Sequence, residues 1–306
     1  MTLAHPALER GATVTLGTFD GVHPGHRAVL EEVETRARSA GRKSLLVTFE
    51  PHPLEVVNPA AAPPLLTSGA ERREVLAQTE LDYVVFLAFD RRLAAMAPDA
   101  FVREVLERRF NMKELVIGYD HGFGRGRSGD IETLRRLGKQ DGFQVDVVAP
   151  VEIGGHPVSS TQIRRAVTGG DLKSAARLLG RPYSVSGCVA AGAGRGRTIG
   201  IPTINLSGVP HNKLFPPDGV YAVRVDTPHG RFGGMLNQGP RPTFGDENRS
   251  IEAHLFGFSG DLYGRWVRIE WVERLRETKK FESAQQLMAQ LAADRQLADR
   301  VLRSEY

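Results

Sequence analysis

A single cysteine, Cys188, stands among the 306 residues, so the chain has no internal disulfide to form, and no Cys/His cluster has the spacing of a zinc site. No run of 18 or more apolar residues occurs, and the opening MTLAHPALER lacks the charged-then-apolar pattern of a signal peptide. The expectation is a cytoplasmic protein that neither spans a membrane nor is exported. Aromatic residues are few, at 7%, and neither sign of charge dominates, since 40 Lys+Arg face 36 Asp+Glu for a net charge of +4. Arg72, Arg73, Arg91, Arg92, Arg108 and Arg109 are spread over expected helix faces with no interleaved aromatics. They read as solvated positions, which argues against a nucleic-acid partner. The mild positive balance suits small substrates that carry phosphate. Internal repeats are absent, and the one biased stretch, Pro59–Pro64, reads as a loop.

What is present points to two domains, as the length itself suggests. In the first half, short apolar runs alternate with helical patterns, the signature of βαβ units and a parallel sheet. Strands are expected at Thr13–Leu16, Ser44–Phe49, Tyr83–Phe89, Glu114–Gly118 and Val145–Val148. Val29, Leu30, Val33 and Ala37 recur at helical spacing up to a Gly41 cap, and Phe101, Val102, Val105, Leu106 and Phe110 repeat the pattern. Past Gly180 the texture changes to Gly, Pro and short β-type runs: Tyr183–Val189, Val220–Val225, Phe232–Leu236, Ser250–Phe256 and Trp266–Trp271. These predict a small antiparallel β-barrel or sandwich. It is closed by a long helix begun at Ser283 with Gln286 and striped by Leu287, Met288, Leu291, Ala298, Val301 and Leu302. The expected division is 1–180 and 181–306.

After the first strand comes Gly17-Thr18-Phe19-Asp20-Gly21-Val22-His23-Pro24-Gly25-His26, followed at once by a helix. Glycines allow backbone to approach a ligand, and a helix N-terminus offers N–H groups and a positive dipole end to phosphate. His23 and His26 are spaced so that both can face that position. Either histidine alone is more often structural. The segment resembles the G-x-F-D-x-x-H-x-G-H signature of the nucleotidyltransferase superfamily, and Ser159-Ser160-Thr161-Gln162-Ile163-Arg164 resembles its second signature. Read from the residues, Ser160 or Thr161 is an N-cap. The resemblance implies a Rossmann-like domain in which Gly17, Phe19, Asp20, Ser160 and Thr161 bind the nucleotide and Arg164 binds the ATP phosphates.

Thr48-Phe49-Glu50-Pro51-His52-Pro53 and the stretch Gly118–Asp130 narrow the resemblance to FAD synthetases, placing Asp120 beside FMN and ATP. By itself that second stretch is a Gly/Arg-rich loop. The implied reaction is attack of the FMN phosphate on the α-phosphorus of ATP, which needs no general base because the nucleophile is already ionised. His23, His26, Arg164 and a Mg²⁺ ion would offset charge.

The second half opens with Gly192-Ala193-Gly194-Arg195-Gly196-Arg197-Thr198-Ile199-Gly200-Ile201-Pro202-Thr203-Ile204-Asn205. This is not a Walker A loop, yet it combines glycines and arginines as a phosphate cradle does, and Thr203 and Asn205 offer neutral oxygens to a hard cation. A Gly-rich hairpin loop is the alternative. The segment resembles the G-R-x-x-G-x-P-T-x-N signature of riboflavin kinases, and the companions Pro217–Ala222, Leu236–Gly245, Glu252–Phe256 and Gly260–Gly264 follow in family order. The resemblance implies that Gly192, Gly194, Arg197 and Gly200 bind ATP and that Thr203 and Asn205 hold Mg²⁺. Glu252 alternates with apolar Ile251 and Ala253, so it faces away from the core; read from the residues alone it is a solvated strand glutamate, and the flanking motif makes it the candidate general base.

Ile204 and Thr278 depart from the family's usual alanine and glutamate. Neither carries the implied chemistry. The whole chain thus resembles the bifunctional riboflavin kinase/FAD synthetases of prokaryotes. That resemblance implies ATP as co-substrate, riboflavin, FMN and FAD as substrates or products, and a monomer or weak homo-oligomer. Two other readings remain: a pantetheine-phosphate or nicotinamide-nucleotide adenylyltransferase with an inert β domain, and a non-catalytic flavin-binding module.

Overall fold

The computed structural model describes residues 8–120, 122, 130–192, 196, 200–240 and 249–304. The chain divides into two compact units, one of Met1–Pro64 and Arg72–Ser160, the other of Leu65–Glu71 and Thr161–Tyr306.

The first unit is built on five parallel strands, β1 (Ala12–Leu16), β2 (Lys43–Glu50), β3 (Tyr83–Ala88), β4 (Met112–Gly118) and β5 (Gln144–Val148). Their order is β3-β2-β1-β4-β5. All five residues of β1 are buried, because a central parallel strand is covered on both faces and therefore reads as a continuous run. Helix Pro24–Ser39 buries Val29, Leu30, Val33 and Ala37, and Gly41, at φ 63°, ends it as the sequence predicts. The chain leaves β1 toward β2 on one side and meets β4 on the other, so the switch point of the sheet lies at the carboxyl end of β1. The amino edge is taken up by an ion cluster. There Glu114, 3% exposed, accepts from Thr13 Oγ1 at 3.2 Å and Arg36 Nη1 at 2.9 Å, while Arg36 also reaches Asp146 at 2.8 Å. Chemistry is left to the opposite edge.

The short hairpin β6 (Glu152–Ile153) and β7 (His156–Pro157) precedes helices Ser160–Thr168 and Leu172–Leu179. The second unit is a closed antiparallel barrel. Its strands are β8 (Ser184–Ala190), β9 (Ile204–Ser207), β10 (Gly219–Thr227), β11 (Gly230–Pro240), β12 (Arg249–Leu255) and β13 (Trp266–Arg276), ordered β10-β11-β12-β9-β8-β13. Strand β9 is not among those expected from periodicity, since its four residues are hidden inside a motif. Closure removes the open edges that antiparallel sheets otherwise expose.

Helix Ala284–Ser304 starts as predicted, with Ser283 Oγ accepting from the Gln286 amide at 3.2 Å and Gln286 Oε1 accepting from the Glu282 amide at 3.2 Å. Leu291, Ala298, Val301 and Leu302 pack on Ala222, Met235 and Val272 of the barrel. Met288 does not belong to the stripe, being 43% exposed. Asp294 is buried on the inward face, and its carboxylate holds the Arg276 guanidinium at 2.7–3.0 Å. Among the described residues no helix is long and apolar enough to cross a membrane.

The second unit includes residues far upstream of Gly180. Leu65 bridges to Lys213, whose ammonium donates to Leu66 O at 2.7 Å, Glu71 Oε2 at 2.8 Å and Ser184 O at 2.9 Å. Glu71 is satisfied in turn by the amides of Ser68 and Ser186. All three Lys213 protons are thereby used, in a site where its side chain is wholly buried. Lys213→Met should cost about 3–5 kcal/mol, because it strands the Glu71 charge. Urea unfolding checks this, and a loss under about 1 kcal/mol counts against the pair's role.

Candidate functional sites

At the carboxyl end of β1, the chain turns through Gly17 to Val22 before the Pro24–Ser39 helix. Phe19 and Val22 adopt left-handed φ of 48° and 41°, with Gly21 at 86° between them. Side chains of this size seldom take that conformation, and it concentrates at functional turns. Phe19 (3% exposed), Asp20 (2%) and His23 (6%) are all buried there.

The His23 and His26 rings stack with centroids 3.7 Å apart, and Phe19 closes the group at 4.8 Å from His26. His23 is also the helix N-cap, its Nδ1 accepting from the His26 amide at 3.4 Å. In the neutral ring an accepting Nδ1 places the proton on Nε2, which makes Nε2 a donor. Gly25 allows this, since a Cβ there would come within 3.2 Å of the His23 ring. Gly17 has the same relation to Phe19, with a Cβ contact of 3.1 Å.

Ser160 does something other than cap. It is the first residue of its helix, and its hydroxyl donates to Asp20 O at 3.0 Å, joining the second motif to the first. Thr161 and Arg164 follow on the same helix, whose residues from Thr161 onward cluster with the second unit. Asp120 lies just past β4 with its carboxylate turned back, 3.9 Å from where a Cβ of Gly118 would be.

Arg72 is the correction at this edge. Far from lying on a solvated face, it is 5% exposed, with Nη1 on Thr18 O at 2.7 Å and Nη2 on Phe49 O at 2.8 Å. Its neighbour Arg73 does reach outward, pairing with Glu50. No local pattern separates the two.

In the second unit the barrel register assembles the other site. Glu252 of β12 is opposite Asn205 of β9 on one side and Asn237 of β11 on the other, so three polar side chains share one row. Ile251, Ala253 and Leu255 fill the core, leaving Glu252 and His254 on the outer face as the alternation predicts. Ser250 Oγ donates to Glu252 Oε1 at 3.0 Å. His254 Nδ1 lies 2.7 Å from Pro202 O; a carbonyl only accepts, so this nitrogen carries the proton and holds the turn before Thr203.

Asn205 is 8% exposed and lies against Gly192, where a Cβ would be 2.1 Å from Asn205 Nδ2. Gly192→Ala should therefore displace the amide and lower FMN formation at least about tenfold, with FAD formation from supplied FMN unchanged. A steady-state assay of both activities decides it. Gly200 turns at φ 72° next to this strand, while Gly194 and Arg197 lie outside the described residues. Among the described residues no group of three or more His, Cys, Asp or Glu gathers to hold a metal. Neutral oxygens at Thr203 and Asn205 instead suit a hard cation that brings its remaining ligands with a polyphosphate.

The Pro217–Tyr221 turn beside the row is fixed from below. Gln238, fully buried, donates to Pro216 O at 2.8 Å and Pro217 O at 3.1 Å and accepts from Trp271 Nε1 at 2.9 Å. Tyr221 donates to Pro217 O, and burial pushes its phenol up to about 12, so it stays a donor. Gln238 and His254 lie inside quoted motifs, but their sequence context gives no sign of what they hold.

Residues 5–162 match the family model for FAD synthetase, and residues 179–302 match that for riboflavin kinase. The bifunctional riboflavin kinase/FMN adenylyltransferase of Escherichia coli K12 is 37% identical over 292 residues, covering 94% of this chain and 92% of that protein. The protein of the same name from Pseudomonas fluorescens is 39% identical over 287 residues, covering 93% and 91%. A crystal structure of a Streptococcus pneumoniae protein described as a macrolide-efflux protein superposes with TM-score 0.83 at 31% identity, covering 97% of this chain and 95% of that one.

Proposed function

The chain belongs to the family of bifunctional riboflavin kinase/FMN adenylyltransferases, and on that premise we propose how its residues carry the two transfers. It phosphorylates riboflavin to FMN with ATP, and it joins FMN to the AMP moiety of a second ATP to give FAD and pyrophosphate. The functional division we assign is 1–180 for adenylyl transfer and 181–306 for the kinase.

In the kinase, Ser250 holds one Glu252 oxygen and leaves the carboxylate facing outward to accept the proton of the riboflavin hydroxyl as it attacks the γ-phosphorus. Thr203 and Asn205 would hold Mg²⁺, which when bound supplies charge neutralisation to the ATP phosphates. Gly192, Gly194, Arg197 and Gly200 form the cradle.

In adenylyl transfer, the protein positions two anions and offsets the charge that gathers between them. His23 Nε2–H, His26, Arg164 and the N-terminus of the Pro24–Ser39 helix do the latter. Gly17, Phe19, Asp20, Asp120, Ser160 and Thr161 shape the nucleotide side. A cytoplasmic setting, a monomer or weak homo-oligomer, and the absence of a nucleic-acid partner belong to the same proposal.

The row Asn237–Glu252–Asn205 carries the reading, since an adenylyltransferase with an inert β domain has no use for it. The test is to incubate the protein with riboflavin, ATP and Mg²⁺ and separate the products. FMN followed by FAD supports both sites; adenylylation of only a non-flavin acceptor, or no product at all, overturns the reading.

A further inference from the structure

We infer that Arg72 is a positioning residue for adenylyl transfer, fixing through the carbonyls of Thr18 and Phe49 the turn that carries Phe19 and leads into the helix of His26. The inference rests on the first unit being the adenylylating one.

One planar guanidinium donates to both carbonyls, and Thr48 Oγ1 adds a third bond to Thr18 O at 3.2 Å. The carboxyl ends of β1 and β2 are thereby tied together directly before Phe19, whose left-handed backbone turns its ring toward His26. No carboxylate lies within salt-bridge distance of Arg72 among the described residues, and its buried Nε has no hydrogen-bond partner among them. Burial pulls its pKa below the usual arginine value, while the fields of Asp20, Glu50 and Glu55 oppose that. The Phe86 ring, 5.3 Å from the guanidinium carbon, is its aromatic neighbour.

Burying a charge without a paired carboxylate is costly, and a neutral donor could have satisfied two carbonyls at less cost. What the cation adds is positive potential at the edge where FMN phosphate and ATP meet. Its planar fork also spans two segments that a single-headed donor would leave independent. A turn displaced by about 1 Å costs about 100-fold in rate, which sets the expected size of the effect.

The full-length protein with Arg72→Met, Arg72→Lys and Arg72→Gln is assayed for kcat and KM on supplied FMN, with the kinase rate in the same sample as internal control and folding followed by circular dichroism. Arg72→Met should lower the adenylylation kcat about 100-fold with less than about fivefold change in the ATP KM, Arg72→Lys should recover at least about tenfold of that, and the kinase rate should stay within about twofold. If Arg72→Met keeps kcat within about threefold of the parent, or if Lys does no better than Met, the side chain only fills space and the inference fails. Should the Met variant not fold, Lys against Gln decides: a tenfold advantage for Lys supports the role, and equal rates end it. A parent protein that makes no FAD would instead overturn the assignment of the unit.

Discussion

Replacing Glu252 by glutamine should lower FMN formation by about 1,000-fold and leave FAD formation from supplied FMN at the parent rate. Glutamine keeps the shape and can still receive the Ser250 hydroxyl bond, so the barrel should be undisturbed. Only the capacity to take a proton is removed. An alcohol is a poor nucleophile while it keeps that proton, whereas the FMN phosphate of the other reaction has none to lose. The two activities should therefore separate cleanly in one purified sample. A kinase rate within about tenfold of the parent would deny Glu252 the role of base.

His26→Ala should have the mirror effect, lowering FAD formation by about 1,000-fold while FMN formation persists. In the proposed mechanism His26 is a donor to the developing charge, and it is also the ring on which His23 stacks at 3.7 Å, so its removal loosens two groups at once. The helix itself should survive, because His23 caps it through the backbone amide of residue 26, which alanine retains. Product analysis with riboflavin should then show FMN accumulating. A fall of both activities together in a folded protein would mean that the two sites are not separate in the way their geometry suggests.

Much of both sites was readable because their residues are contiguous. The Gly17–His26 turn follows a strand and opens a helix, and strand–turn–helix fixes backbone direction over a few residues. The five parallel strands were equally visible, since each carries a short, largely apolar run set between helical patterns. Other features were hidden for a common reason. Arg72 and Arg73 are indistinguishable in a short amphipathic stretch, and only the position of two distant carbonyls makes one a buried clamp and the other a surface ion pair. Met288 looked like part of the final helix's apolar stripe, but it is 43% exposed, at the margin of the face on which Asp294 and Ala298 are buried.

The amino-acid order alone determined the two-part architecture, most of the strand and helix pattern and the outward face of Glu252, which follow from spacing within one segment, while the phosphate roles expected of the two motifs came from their resemblance to known families. The tertiary structure decided what distant segments do to each other: that β9 brings Asn205 opposite Glu252, that Ser160 reaches the Asp20 carbonyl, and that Leu65–Glu71 belongs with Lys213. The reason is that a buried polar group is tolerable only when its partners arrive, and those partners come from elsewhere in the chain, where no local pattern records them.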